Sequence, residues 1–318
     1  MNAKLLVLYG GIKTKSFGVT DPKYRESYEI ITRLAKEKGI DIFFSGMAFW
    51  DEKKFIKASY FDPEKKSWIY TKNIRPDLIF DKITTSFFNV ALKRNLEKQV
   101  PVLNPALFDL ICNNKFLNYL IFEELYPKSF LVSNMRELKS KLHHIKTDKV
   151  VIKPTIGTCG KNVGIMNRGK IKTLGIKNDH FLLQEFIDSS RGIQNVIKGT
   201  HDLRITIIDN KIIYAYLRTP QKGSLLCNIA LGGKMKNIKN SEIPKEAAMV
   251  CKKIMEKLSP FENLVYSIDM AMDKDGKMKV IEMNSRPGVY FYPEDWRTRD
   301  KYYDVFIENF KNYLKKII

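Results

Sequence analysis

Two hydrophobic periods alternate along this chain. Residues 4–11, KLLVLYGG, are an apolar run closed by glycines, the mark of a strand buried on both faces. ESYEIITRLAKEKG follows with helical spacing and ends at Gly39, a residue suited to a helix C-terminus. IDIFFSG is a second strand. A hairpin-like region with Asp62 and Pro63 in its turn comes next, then the strand PDLIFDK, the helix TTSFFNVALKRNLEK and a short strand VPVLNP. Strands alternating with helices predict an open parallel sheet. Ligands of such sheets lie at the carboxyl ends of the strands, which marks Gly10, Gly11, Asp81 and Lys82 as candidate contacts.

The pattern changes after residue 108. A helix-like stretch opens at Lys115, followed by a strand near 129–132 and the helix NMRELKSKLHH. The apolar strand KVVIKP then leads into a glycine-rich loop at 155–164 and the strand NVGIM. Beyond FLLQEFI at 181–187, LRITIID and KIIYAYLR read as a hairpin around Asp209 and Asn210. A glycine-containing loop, the helix PKEAAMVCKKIMEKL, a second hairpin and a C-terminal helix DVFIENFKNYLKKI complete the chain. The expected units are 1–108, an α/β domain, then 109–188 and 189–318, a smaller and a larger α+β lobe.

The second hairpin carries the most specific chemistry. LVYSIDMAM and KMKVIEMNSRPG are joined at Asp273-Lys274-Asp275-Gly276, a turn that sets Asp269 beside Glu282. Glu282 and Asn284 are two apart on a strand and share a face. Hard oxygen donors on one face at a strand end can hold Mg²⁺ against phosphate. Lys153 projects from the end of an apolar strand and offers a point charge for phosphate. The loop containing Gly157 and Gly160 has backbone N–H groups that can cradle an anion, though its spacing is not that of a Walker loop. Arg204 and Arg218 follow apolar residues on paired strands, where guanidinium forks suit carboxylate or phosphate.

Composition narrows the choice. With 318 residues, 44% hydrophobic, the chain can bury several cores. No apolar run reaches the length of a membrane span, and the short N-terminal run reads as a strand, so a cytoplasmic protein is expected. The four cysteines form no C-x-x-C pair, which argues against zinc and a disulfide framework. Cys159 has no His or Asp placed to activate it. The net charge of +20 is spread as lysines along the whole chain, without the basic–aromatic interleaving of an RNA-binding surface.

In order and spacing, the segments around Lys115, Lys153, the 155–164 loop, FLLQEFI, HDLRITII, YLRTP, CNIALGG and EMN resemble the ATP-grasp superfamily. The nearest likeness is to ribosomal-protein glutamate ligases and glutathione synthetase-like carboxylate–amine ligases; spore-coat-associated ATP-grasp proteins are also similar. The resemblance covers about the last two-thirds of the chain. It implies an ATP-grasp fold, with a pre-ATP-grasp domain and nucleotide between two lobes. It also implies ATP-dependent amide formation through an acylphosphate, with ATP and Mg²⁺, or Mn²⁺ in its place, as cofactors. Lys115 and Lys153 would contact phosphates, and Gly157 and Gly160 would cover them. Gln184, Glu185 and Ile187 would meet adenine and ribose, with Asp188 as an alternative for the ribose. Arg204, Arg218 and Asn228 would line the acylphosphate site, with Asp202 orienting Arg204 or capping a turn. Asp269, Glu282 and Asn284 would hold metal.

Small-molecule or peptide carboxylates and amines are the implied partners, and a homo-oligomer is in keeping with the family. Arg286 stands where the glutamate ligases usually have a small residue, and could bind a second carboxylate. A non-catalytic ATP-binding protein of the same fold is the alternative, and a basic nucleic-acid-binding protein is a more distant one.

Overall fold

A computed structural model describes residues 2–9, 19–83, 87–157, 160–171 and 180–317. The first sheet is built from β1 (Ala3–Leu8), β2 (Ile40–Ser45), β3 (Ala58–Asp62), β4 (Ser67–Thr71), β5 (Leu78–Asp81) and β6 (Val102–Leu103), in the order β4-β3-β2-β1-β5-β6. β2, β1, β5 and β6 are parallel, and the β3–β4 hairpin adds an antiparallel edge. Helix α1 (Pro22–Glu37) starts at Asp21, whose carboxylate accepts from the N–H of Lys23 and Tyr24. It ends at Gly39, with φ of +80°. α2 (Phe87–Glu97) is the next helix.

α3 (Ala106–Asn113), which the periodicity did not show, runs into α4 (Lys115–Ile121). Asn114 divides them: its backbone is extended, and its side-chain oxygen accepts from the N–H of Phe116 and Leu117. Residue 108, the expected domain limit, falls inside α3. The second sheet, ordered β7-β10-β8-β9, comprises β7 (Ser129–Val132), β8 (Lys149–Pro154), β9 (Gly164–Asn167) and β10 (Phe181–Glu185), with α5 (Met135–Leu142) packed on it.

The third sheet is ordered β13-β12-β11-β14-β15. β11 (Asp202–Ile208) and β12 (Lys211–Thr219) meet at Asp209 and Asn210, both with positive φ, as a two-residue hairpin turn requires. β13 (Lys234–Ile238) is an edge strand where the sequence suggested only a loop; its alternating lysines hide it. α6 (Lys245–Lys257) covers the sheet with Ala247, Val250, Cys251 and Ile254, one stripe at helical spacing. β14 (Val265–Met272) and β15 (Met278–Asn284) form the expected hairpin, with Asp269 paired to Glu282.

α7 (Trp296–Ile317) begins eight residues before the stretch DVFIENFKNYLKKI that periodicity marked. It lies between the first and third sheets. Phe306 and Phe310 each pack against Phe80 of β5 with ring centroids 5.2 Å apart, while Tyr302 meets Tyr214 of β12 at 5.5 Å. One apolar core thus joins the N-terminal sheet, α1, α7 and the end of the β11–β12 hairpin. Removing an aromatic side chain from such a core leaves a cavity. Phe306→Ala should lower unfolding stability by about 3–5 kcal/mol in urea titration. If the two sheets were independent units, N-terminal and C-terminal probes would not report the loss together.

Candidate active site

The second and third sheets face each other across a cleft, with residues 185–189 as the link between them. The cleft holds about 930 Å³ of free space, open mouth included. Its roof is one face of the second sheet. Val151 and Lys153 alternate onto that face, and Gln184 and Ile165 flank Val151 on neighbouring strands. Its floor is one face of the third sheet, with Asp202, Arg218, Asp269, Ala271 and Glu282. The sequence-predicted residues Lys115, Gly157, Gly160, Glu185, Ile187 and Asn228 also line this cleft; Arg204, paired with Asp269, and Asn284, two residues from Glu282, do not line it but lie on the same face of the third sheet. The apolar residues Leu225 and Leu226, together with His201, were missed. They sit on loops and carry no periodic signal.

Four charges organise the floor. Asp269 is 1% exposed. The Arg204 fork, through Nε and Nη2, bonds both of its oxygens at 2.5 Å, and Arg218 Nη2 adds a third contact at 2.6 Å. Arg218 Nε in turn donates to Asp202 at 2.6 Å. Asp202 therefore orients Arg218, across the β11–β12 pair, rather than Arg204 or a turn. Burial alone would raise the pKa of Asp269, but the two guanidinium groups outweigh it and hold it at about 2. Burial wins at Asp202, which rises to about 6 despite Arg218.

Lys153 and Lys115 converge from the roof and from the start of α4. Lys153 Nζ donates to Ile281 O at 3.0 Å, and Lys115 Nζ donates to Gly157 O at 2.8 Å and lies 3.6 Å from Glu282. Burial and the neighbouring Lys115 bring Lys153 down to about 8. Two cations facing a partly open cleft, balanced by one carboxylate, suit a polyanion. The loop closing over them touches the opposite wall. A Cβ on Gly160 would lie 2.9 Å from Asn228 Oδ1, and its φ is +70°, so both space and backbone call for glycine. Cys159 lies outside the described residues, as do Gly10 and Gly11.

At the link, the Gln184 amide donates to the Ser129 hydroxyl at 2.8 Å, and the Glu185 carboxylate accepts from Lys146 N–H at 2.8 Å. Asp188 caps its own turn at Ser190 N–H. His201 is buried and its pKa is lowered by burial. Its ring nitrogens lie 3.0 Å from Gly199 O and 3.4 Å from Met272 N. Cys227 lines the wall with its thiol pushed up to about 12 by burial, which makes it a poor nucleophile.

Residues 115–298, more than half of the chain, match the RimK-like ATP-grasp domain family. The chain belongs to that family. It is 26% identical over 215 residues to the tetrahydromethanopterin:alpha-L-glutamate ligase of Methanocaldococcus jannaschii, covering 64% of this chain and 68% of that one. Over 170 residues it is 28% identical to a probable alpha-L-glutamate ligase of Psychromonas ingrahamii, about half the length of each. The structure superposes on the VanG D-Ala:D-Ser ligase from Enterococcus faecalis with a TM-score of 0.63 at 13% identity, covering 97% and 99% of the two chains. The ATP-grasp fold expected from the sequence is therefore present, and with it ATP as the nucleotide and the ATP-dependent carboxylate–amine ligase activity of the family. Among the described residues no helix is long and apolar enough to cross a membrane.

The buried carboxylate gives a pH test with a definite sign. The folded pKa of Asp269 lies below the unfolded value of about 4, so its contribution is fully present above about pH 4 and is lost as the pH falls toward 2. Asp269→Asn should cost about 3 kcal/mol or more near neutral pH, because it strips two buried guanidinium groups of their partner. In urea titrations the gap between variant and wild type should close between about pH 4 and 2. A gap that stays constant would place the cost in packing.

Proposed function

We propose that the ligase reaction runs through an acylphosphate built between the two sheets. The observation that carries this reading is the convergence of Lys115, Lys153 and Glu282 under a glycine loop, next to a floor of two arginines. Nucleotide phosphates would lie against Lys115 and Lys153 and beneath the N–H groups near Gly157 and Gly160. The base would meet the link at Gln184, Glu185 and Ile187, where the Glu185 carboxylate already accepts from Lys146 N–H.

The donor set fits Mg²⁺. Glu282 is a carboxylate at the cleft with 20% of its side chain exposed, and Asn284 has a buried Nδ2 with no partner, beside a side-chain oxygen. Asp269 would share its oxygens with the arginines. Such an ion would be bound mainly through phosphates and one or two carboxylates. When bound, such an ion would supply neutralisation of charge on the transferring phosphoryl group. Manganese would suit the same donors.

The substrate carboxylate would attack the γ-phosphorus, with ADP leaving and a mixed anhydride forming. Arg204 and Arg218 would steady the transferring group and then the tetrahedral intermediate as the amine displaces phosphate. Asn228, across from Gly160, would close the wall. No protein nucleophile is needed: the work is positioning and charge compensation. The relatives named as alpha-L-glutamate ligases point to an amino acid as one substrate, L-glutamate first.

Two measurements test this. With Mg-ATP and a carboxylate, hydroxylamine should trap a hydroxamate as ADP appears; ADP release indifferent to any carboxylate would make the protein an ATPase. Glu282→Gln should slow ADP release by about 100-fold without unfolding the protein, as for loss of one charge-stabilising group. Arg218→Lys should cost a similar factor, because an ammonium cannot replace the two-pronged contacts to Asp202 and Asp269.

A further inference from the structure

Beside the cleft, where β5 ends, five charged side chains gather. Lys93, 2% exposed, lies between Asp81 at 2.5 Å and Asp109 at 2.7 Å. Arg286 joins Asp109 at 3.8 Å, donates to Asn113 Oδ1 at 3.1 Å and also meets Ile83 O. Its fork is engaged in these contacts. Two cations and two anions thus cancel. Lys82 is the fifth charge. Its Nζ donates to Pro287 O at 2.8 Å, and among the described residues no carboxylate lies within 4 Å of it.

Lys82 stands at the carboxyl end of a central parallel strand, where open α/β sheets bind ligands. Its carbonyl partner, Pro287, is three residues past Asn284, a span of at most about 10 Å. The surplus charge therefore lies within one small substrate's length of the proposed metal strand. We infer that Lys82 is a specificity residue that binds a free carboxylate of the amino-acid substrate. The inference rests on the ligase reading and deepens it: the amino acid it selects is acidic. Burial and the like charge of Arg286, against the pull of Asp81, bring the Lys82 ammonium down to about 7, so an arriving carboxylate would favour its charged form.

The probe is L-glutamate against L-glutamine, titrated calorimetrically into the full chain with saturating Mg-ADP. Wild type should bind glutamate more tightly by about tenfold or more, the difference of one compensated charge. Lys82→Gln should lose that preference, and Lys82→Arg should keep most of it. Equal binding of the two amino acids by wild type, or an unchanged preference in folded Lys82→Gln, would overturn the proposal. Failure of Mg-ADP itself to bind would overturn the ligase reading and this proposal with it. Binding of Mg-ADP with an indifferent Lys82 would overturn only the latter.

Discussion

Asp269 is the fixed point of the cleft floor. A carboxylate at 1% exposure can stay ionised only if cations are brought to it, and two strands are obliged to deliver Arg204 and Arg218. That demand fixes the register of β12, β11 and β14, since a slip of one residue would turn each of these side chains to the opposite face. Asp202 closes the network by holding the second nitrogen of Arg218. Such a network is not the cheapest route to stability, since apolar residues of the same volume can serve as well; what it does is hold both guanidinium forks at set angles.

A second polar assembly fixes the far end of the same hairpin. Asn104, just after β6, donates its amide to Val265 O and Ser285 O, and its oxygen accepts from Val265 N–H at 2.9 Å. Asn113 on α3 meets Ser285 Oγ at 2.8 Å, and Asp109 accepts from the same hydroxyl. The backbone that leaves Asn284 is thus tied to the N-terminal sheet and to α3 at once. With α7 packed between the two sheets, the N-terminal unit and the cleft floor are coupled, so the end of β5 and the cleft hold a set spacing.

The local signals in the sequence carried most of this. Asp269 and Glu282 were legible as neighbours because one short turn joins their strands and the pleat has a period of two. Gly39, the Asp209-Asn210 turn and the helices α1 and α6 were legible for the same reason: each rests on contacts within a few residues. β13 was hidden because its exposed lysines, Lys234 and Lys236, break up the few apolar residues of an edge strand facing water. α3 was hidden because it is buried on too many sides to show a polar stripe, and the start of α7 because its first two turns are polar.

What the sequence could not decide is where each charge finds its partner. Arg204 and Asp269 are 65 residues apart, Arg218 and Asp269 51, and Arg286 and Asn113 173. Nothing in composition or spacing assigns Asp202 to Arg218, or joins Arg286 to Asn113 and Asp109. Nor does it leave Lys82 as the surplus cation. A charge's partner in a folded chain is set by which strands lie side by side and which face each side chain takes, and only tertiary packing chooses among the many pairings a chain with 55 basic and 35 acidic residues allows.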